Sequence, residues 1–344
     1  RVVPYVPGEQ PKDTKVIKLN TNENPYPPAP GVEKLKQEFA CDRLRLYPDP
    51  EATVLVDAIA KRYGVKPEQV FVGVGSDDVL AMAFLTFFNS PKPILFPDVT
   101  YSFYDVWAKL YRIPYEQPAL NEQFRIKRED YYKENGGVIF PNPNAPTGIC
   151  ENLEFIEDIL KHNTDVVVIV DEAYIDFGGA SALALIDSYE NLLVVRTFSK
   201  SRSMAGLRIG YAIGNPELIQ ALNNVKYSFN SYTMNRPAIE LGVESLRDEA
   251  YFQETVGKIV KTRAWFEEEM KKLGFEFPDS KANFIFATHK NAAAEDIFKA
   301  AKEKNIYVRY FKQPRIDNYL RITIGTDEEM QQLLQFLKEY LKES

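Results

Sequence analysis

Lys200 stands in the string Thr197-Phe198-Ser199-Lys200-Ser201-Arg202-Ser203, directly after an apolar run, Leu192 to Val195, that reads as a buried strand ending in Arg196. A lysine just past the carboxyl end of a buried strand is a candidate for amine chemistry. Partial burial beside other cations favours the neutral, nucleophilic amine. The hydroxyls of the same turn, with Arg208 eight residues further on, suit a phosphate, which takes bidentate contacts from a guanidinium. Taken alone, the stretch reads equally well as a basic surface loop.

Other strand ends carry polar residues of compatible chemistry. Gly75-Ser76-Asp77 opens a helix, whose free N–H groups favour a phosphate, although Ser76 or Asp77 would serve as a plain cap. The carboxylate of Asp77 must then point away, leaving its backbone N–H to help. Tyr101 could stack on a ring or fill the core. Asp171 closes the clearest apolar run, Val166 to Val170, where a carboxylate could pair with a ring N–H⁺, and Tyr174 could donate to a ring hydroxyl. An amine, a phosphate cradle, a ring carboxylate and a stacking aromatic are what pyridoxal phosphate needs. Gly73-x-Gly75 is a poor dinucleotide fingerprint, because Asp78 holds the third glycine's place.

The elements that position these residues are repeated strand-then-helix units, the pattern of a mainly parallel sheet. Strands are expected at Val70 to Val74, Pro93 to Phe96, Val138 to Phe140, Val166 to Val170, Leu192 to Val195 and Arg208 to Gly214. In such a sheet ligands sit beyond the carboxyl ends of the strands. Seven prolines within residues 1–30 make the beginning an extended arm. Past Pro216 the texture changes to long helices, notably Asn235 to Leu273, then two late strands and a closing helix. The expected division is an arm and first helix packed on the small domain (1–40), a large cofactor domain (41–234) and a small α+β domain (235–344).

The 344 residues suit one large α/β domain with a smaller companion. Forty-five per cent hydrophobic and 26% charged residues are the balance of a soluble globular protein. A net charge of −7 argues against nucleic acid as the main partner. Cys41 and Cys150 make no disulfide framework, so a reducing cytoplasm is expected, and no apolar run is long enough for a membrane span.

Together, DEAYIDF, TFSKSRSMAGLRIGYA, PNPNAPTG and LRITIGT resemble the fold type I pyridoxal-phosphate aminotransferases. Among these the chain is most similar to the histidinol-phosphate aminotransferase family, from LNTNENPYPPAP to LRITIGT. The resemblance implies transamination between histidinol phosphate and 2-oxoglutarate, by a homodimer with shared active sites. It implies that Lys200 holds the cofactor as a Schiff base and shuttles the proton. Arg208, Ser199, Thr197 and the Ser76-Asp77 backbone would bind its phosphate. Asp171 would pair with the ring nitrogen, Tyr174 with the ring hydroxyl, and Tyr101 would stack. Tyr47 would reach the neighbouring subunit's cofactor. Arg321 and Arg309 would clamp the substrate phosphate, with Tyr5 and Asn22 on the substrate side, and no metal is called for.

The chain departs from the family's N-N-P-T-G, since Ala145 holds the place of the asparagine that serves the ring hydroxyl. Either Asn144 shifts to that task, the reading preferred here, or Tyr174 serves the ring oxygen alone. An aromatic aminotransferase would use Arg321 on a carboxylate; a phosphothreonine decarboxylase and a non-catalytic cofactor-binding regulator are the remaining alternatives.

Overall fold

The computed structural model describes residues 3–5, 8–12 and 15–343. The arm passes through β1 (Ile17–Lys18) into α1 (Pro30–Glu38) and α2 (Thr53–Tyr63), which stops at left-handed Gly64. The large unit then alternates strand and helix: β2 (Val70–Gly73), α3 (Ser76–Phe87), β3 (Ile94–Leu95), α4 (Tyr104–Tyr111), β4 (Tyr115–Glu116), β5 (Val138–Pro141), α5 (Leu153–His162), β6 (Val168–Asp171) and β7 (Leu192–Thr197). After β7 come β8 (Gly210–Gly214), α6 (Pro216–Phe229) and α7 (Arg236–Arg247).

The sheet runs β2-β8-β7-β6-β5-β3-β4, and β8 alone is antiparallel to its neighbours. Its central strands are mainly apolar because both faces are covered. Val168, Val170, Leu192 and Val194 join the core on one face, and Ile169, Leu193 and Val195 the core on the other. The strand expected from Arg208 starts at Gly210 instead. Arg208 has φ 54°, a left-handed turn that swings the chain into β8.

Helices α1 and α2 pack on α7. Val32 and Ala29 share the large unit's core with Ala238, Ile239 and Leu241. The first helix therefore packs on α7, within the stretch assigned above to the small domain, while α7 itself shares the large unit's core. The long helical stretch is also broken: Asp248 ends α7, and its carboxylate accepts from the Tyr251 N–H to cap the next helix. The second core begins there. It comprises α8 (Glu249–Lys272), β9 (Phe275–Glu276), β10 (Phe284–His289), α9 (Ala294–Glu303), β11 (Ile306–Tyr307), β12 (Arg309–Tyr310), β13 (Leu320–Thr323) and α10 (Asp327–Glu343). Strands β12-β13-β10-β9 form an antiparallel sheet. The arm is stitched to it: β1 pairs in parallel with β11, and Leu19 is buried in the small unit's core.

Candidate active site

One cavity opens where the carboxyl ends of β2, β3, β5, β6 and β7 meet the arm and the face of β12–β13. Asp171, last residue of β6, lies at its floor and is buried. Its Oδ2 accepts from the Tyr104 hydroxyl at 2.9 Å and its Oδ1 from the Ala173 N–H at 3.2 Å. Burial pushes its carboxyl up to about 6, against those hydrogen bonds and the pull of Lys200.

Lys200 reaches into the cavity from the turn after β7. Its Nζ donates to the Thr21 carbonyl at 3.0 Å and lies 5.7 Å from the centre of the Tyr174 ring. The turn is clamped from three sides. On the cavity side, Ser199 N–H donates to Thr197 Oγ1 at 3.1 Å. From the arm, Asn24 Nδ2 donates to the carbonyls of Lys200 and Ser201, at 3.0 and 3.3 Å. Behind it, Ser201 Oγ donates to Asp176, which also pairs with buried Arg196. Breaking such a buried pair leaves an uncompensated charge, so the turn has little freedom.

A cradle for an anion lies beside this turn. No side chain caps α3, which leaves its first N–H groups open. Arg208 Nη1 donates to Ser199 Oγ at 3.2 Å, and its Nη2 lies 3.4 Å from Asp77 Oδ2. Gly75 makes room for this guanidinium. A Cβ there would come within 2.3 Å of Arg208 Nη2, and its φ is 86°. The other Asp77 oxygen accepts from Tyr101 at 2.7 Å, which sets the edge of the Tyr101 ring. Open amides, Ser199 and Arg208 at one end, with the Asp77 carboxylate turned to Arg208 and Tyr101, a buried carboxylate on the floor and a lysine between them fit pyridoxal phosphate.

Asn144 does not take up the expected position. Its Nδ2 donates to the Val99 carbonyl at 3.0 Å and to Thr147 Oγ1 at 3.1 Å, while its Oδ1 accepts from Thr100. Those bonds hold the side chain between its own loop and the loop after β3, and Ala145 forms the cavity wall. Tyr174 faces the cavity and accepts at its hydroxyl from Asn22 Nδ2 at 3.0 Å, which leaves the phenol proton free to point inward. Asn22 is thus tied to the large unit through Tyr174 and to the small one through Thr323 and Asn283. It sits in the left-handed region, φ 57°.

Arg309 and Arg321 also line the cavity, with Phe311 between them. They are direct cross-strand partners in β12–β13. Arg321 Nη2 donates to the Asn20 carbonyl at 2.8 Å, but its buried Nε has no partner among the described residues. Burial, opposed by Tyr174 and reinforced by Arg309, moves Arg321 below its ordinary value. A buried unpaired donor beside a like charge calls for an anion. Tyr5 closes the arm side, stacked on Phe103 with ring centres 4.1 Å apart.

Tyr47 lies outside this cavity, 78% exposed, with its ring 4.7 Å from that of Tyr232. Sequence reasoning missed Tyr104, Asn24 and Phe311. Asn24 could have been singled out from its neighbours in the Asn-rich arm, whereas Tyr104 and Phe311 read as ordinary core aromatics.

The profile of the family described as aminotransferase class I and II matches residues 14–337. A histidinol-phosphate aminotransferase of Lactococcus lactis subsp. cremoris is 52% identical over 341 residues, covering 99% of this chain and 96% of its own. One from Clostridium botulinum is 52% identical over 340 residues, covering 99% and 96%. Among solved structures, the histidinol-phosphate aminotransferase of Clostridium acetobutylicum superposes with TM-score 0.88 at 25% identity, covering 96% of this chain and 100% of its own. That of Sinorhizobium meliloti, solved in complex with pyridoxal-5'-phosphate, gives 0.87 at 23% identity, covering 96% and 92%.

Proposed function

We propose that this chain, which belongs to the class I and II aminotransferase family, is a pyridoxal-phosphate-dependent transaminase acting between histidinol phosphate and 2-oxoglutarate. The products are imidazole-acetol phosphate and glutamate, and the biosynthetic direction, towards histidine, is the reverse. Relatives of that activity at 52% identity over nearly the whole chain support the reading. The observation that carries the substrate is the cross-strand pair Arg309–Arg321, two guanidiniums on one face of β12–β13 with a buried Nε unpaired. A phosphate dianion takes two such forks, whereas a single carboxylate needs one.

When bound, pyridoxal phosphate supplies the electron sink that loosens the hydrogen on the amine-bearing carbon. Lys200 would hold the cofactor's aldehyde carbon and, once released, carry that proton on Nζ, within reach of the cavity centre. The open amides of Ser76 and Asp77, with Thr197, Ser199 and Arg208, would hold the phosphate. Asp171 would hold a proton on the ring nitrogen, Tyr174 would donate to the ring oxygen, and Tyr101 would cover one ring face. Tyr5 and Asn22 would enclose the substrate from the arm.

The exposed apolar side chains Leu46, Tyr47 and Phe229 support assembly as a homodimer, with Tyr47 reaching the cofactor phosphate of the second copy. Among the described residues no helix is long and apolar enough to cross a membrane. A cytoplasmic location suits the pathway and the two free cysteines.

The test is a half-reaction on cofactor-loaded protein without a keto acid, following the visible absorbance of the bound cofactor. Histidinol phosphate should bleach it rapidly, and phenylalanine, tyrosine and phosphothreonine far more slowly. Rapid bleaching by tyrosine with none by histidinol phosphate would make the chain an aromatic aminotransferase, and release of CO₂ from phosphothreonine would make it a decarboxylase.

A further inference from the structure

Tyr104 opens α4, directly after the β3 loop that carries Tyr101, and it is completely buried. Its ring is fixed by Phe84, Phe96 and Trp107, with centres 5.8–6.3 Å away. A hydroxyl placed in so apolar a setting needs a partner, and its partner is Asp171 Oδ2 at 2.9 Å. The bond joins α4 to the tip of β6, two elements with no sequence neighbourhood.

We propose that Tyr104 is a positioning residue for the cofactor: its phenol orients the Asp171 carboxylate towards the ring nitrogen and keeps it in the charged form the ring cation requires. The inference rests on the cofactor reading above. The groups facing Asp171 act in both directions. Asp77 on α3 and burial favour its neutral form, while Lys200 after β7, the Ala173 N–H and Tyr104 favour the anion. The neighbouring phenols of Tyr101 and Tyr174 couple to Tyr104 itself. Of the anion's supporters, Tyr104 is the one whose donor can be deleted without altering backbone or charge. Without it the carboxyl, already at about 6, moves higher.

The consequence is a pH dependence of cofactor affinity. The bound ring nitrogen and Asp171 share one proton. Below the carboxyl's pKa both free partners are protonated, so one proton must leave on binding and affinity falls as pH drops. The cofactor-free protein should therefore bind pyridoxal phosphate with an acid limb set by Asp171, read by visible absorbance from pH 5 to 8. In Tyr104→Phe the limb should move upward by about one pH unit, making binding near pH 5.5 about tenfold weaker while leaving pH 8 little changed. The phosphate's own second ionisation falls in the same range but is common to both proteins, so their difference isolates the carboxylate.

Tyr131→Phe is the control, since that phenol is comparably buried and has no hydrogen-bond partner among the described residues. It should leave the limb in place. Site-specific 3-fluorotyrosine at position 104 keeps ring and hydroxyl, makes the phenol a stronger donor, and should move the limb to lower pH even where Tyr104→Phe does not fold. Coincident limbs in wild type and the folded position-104 variants, with only a lower melting temperature for Tyr104→Phe, would reduce Tyr104 to a core residue and overturn the proposal. Failure of the wild-type protein itself to bind pyridoxal phosphate would instead overturn the cofactor reading.

Discussion

Arg309 and Arg321 face each other directly across β12 and β13, and both guanidiniums lie over the ring of Phe311, 5.5 and 5.7 Å from its centre. Like charges in directly opposed positions destabilise a strand pair. The proposed dianionic substrate would convert that repulsion into two charge-assisted contacts.

Arg309→Ala should therefore raise KM for histidinol phosphate by about 10- to 100-fold, the worth of one hydrogen bond to a charged group. KM for glutamate should rise less, because a carboxylate can be met by Arg321 alone. Steady-state kinetics on both substrates checks this, and equal effects on the two would contradict the clamp. Arg309→Ala should also raise the thermal stability of the ligand-free protein slightly.

Lys200→Ala should abolish turnover while leaving the fold intact. The Nζ hydrogen bond to Thr21 is its one polar side-chain contact among the described residues, so little packing is lost. Borohydride reduction of cofactor-loaded wild type should add the cofactor's mass at Lys200, and the variant should gain none. Mass spectrometry of the reduced proteins settles it, and circular dichroism verifies the fold.

Asp171 makes the cofactor-free protein less stable at neutral pH. Burial raises its folded-state value to about 6, above the ordinary 3.8, so between the two the folded state holds a proton that the unfolded chain gives up. The stability it contributes is fully present below about pH 4 and is lost as pH rises to about 6. Asp171→Asn removes this titration. The variant's stability relative to wild type should climb by about 3 kcal/mol between those limits and stay level above them. Glu172, also raised by burial, is common to both proteins and cancels in the difference. Urea unfolding of the two cofactor-free proteins across pH 4–8 checks the slope, and cofactor affinity should fall sharply in the variant.

The positions of Lys200 and Asp171 near strand ends were legible because the apolar runs of β6 and β7, Val168–Val170 and Leu192–Val195, are short and buried on both faces and give way abruptly to polar residues, a pattern that marks their carboxyl ends within a residue or two. Arg208 was legible as a residue but not as a conformation, since its left-handed turn depends on Gly75 vacating the space its guanidinium fills. Backbone groups leave no mark in a sequence, so the Thr21 carbonyl that receives Lys200 could not be read. The orientation of Asn144 was decided by competition: Val99, Thr100 and Thr147 of two neighbouring loops offer it three local bonds, more than the cavity does. The allegiance of α1 was likewise hidden. The helix packs on α7, with Gly31 close to Glu244, and α7 in turn shares the core of the large unit rather than that of the small one.

The segments 41–54 and 226–240 lie together, joined by Lys226 Nζ donating to the Pro50 carbonyl at 2.8 Å, by Arg43–Glu240 and by the Tyr47–Tyr232 ring contact. Leu44, Leu46, Tyr47, Val54, Phe229 and Tyr232 stay exposed on them, with Tyr47 at 78% and Phe229 at 74%. Scattered exposed apolar residues need no partner, whereas apolar side chains grouped on adjoining segments mark a candidate interface. A second copy of the chain is the occupant that would also bring Tyr47 to a cofactor site. Phe229→Asp should then weaken the dimer by at least tenfold in sedimentation equilibrium, because a desolvated carboxylate without a partner is costly. Activity should fall with the dimer fraction and return at high protein concentration. Tyr47→Phe should leave the dimer intact and weaken cofactor binding about tenfold, the loss of one hydrogen bond to a charged group. A Phe229→Asp protein that stays fully active as a monomer would exclude a shared site, and with it the role given to Tyr47.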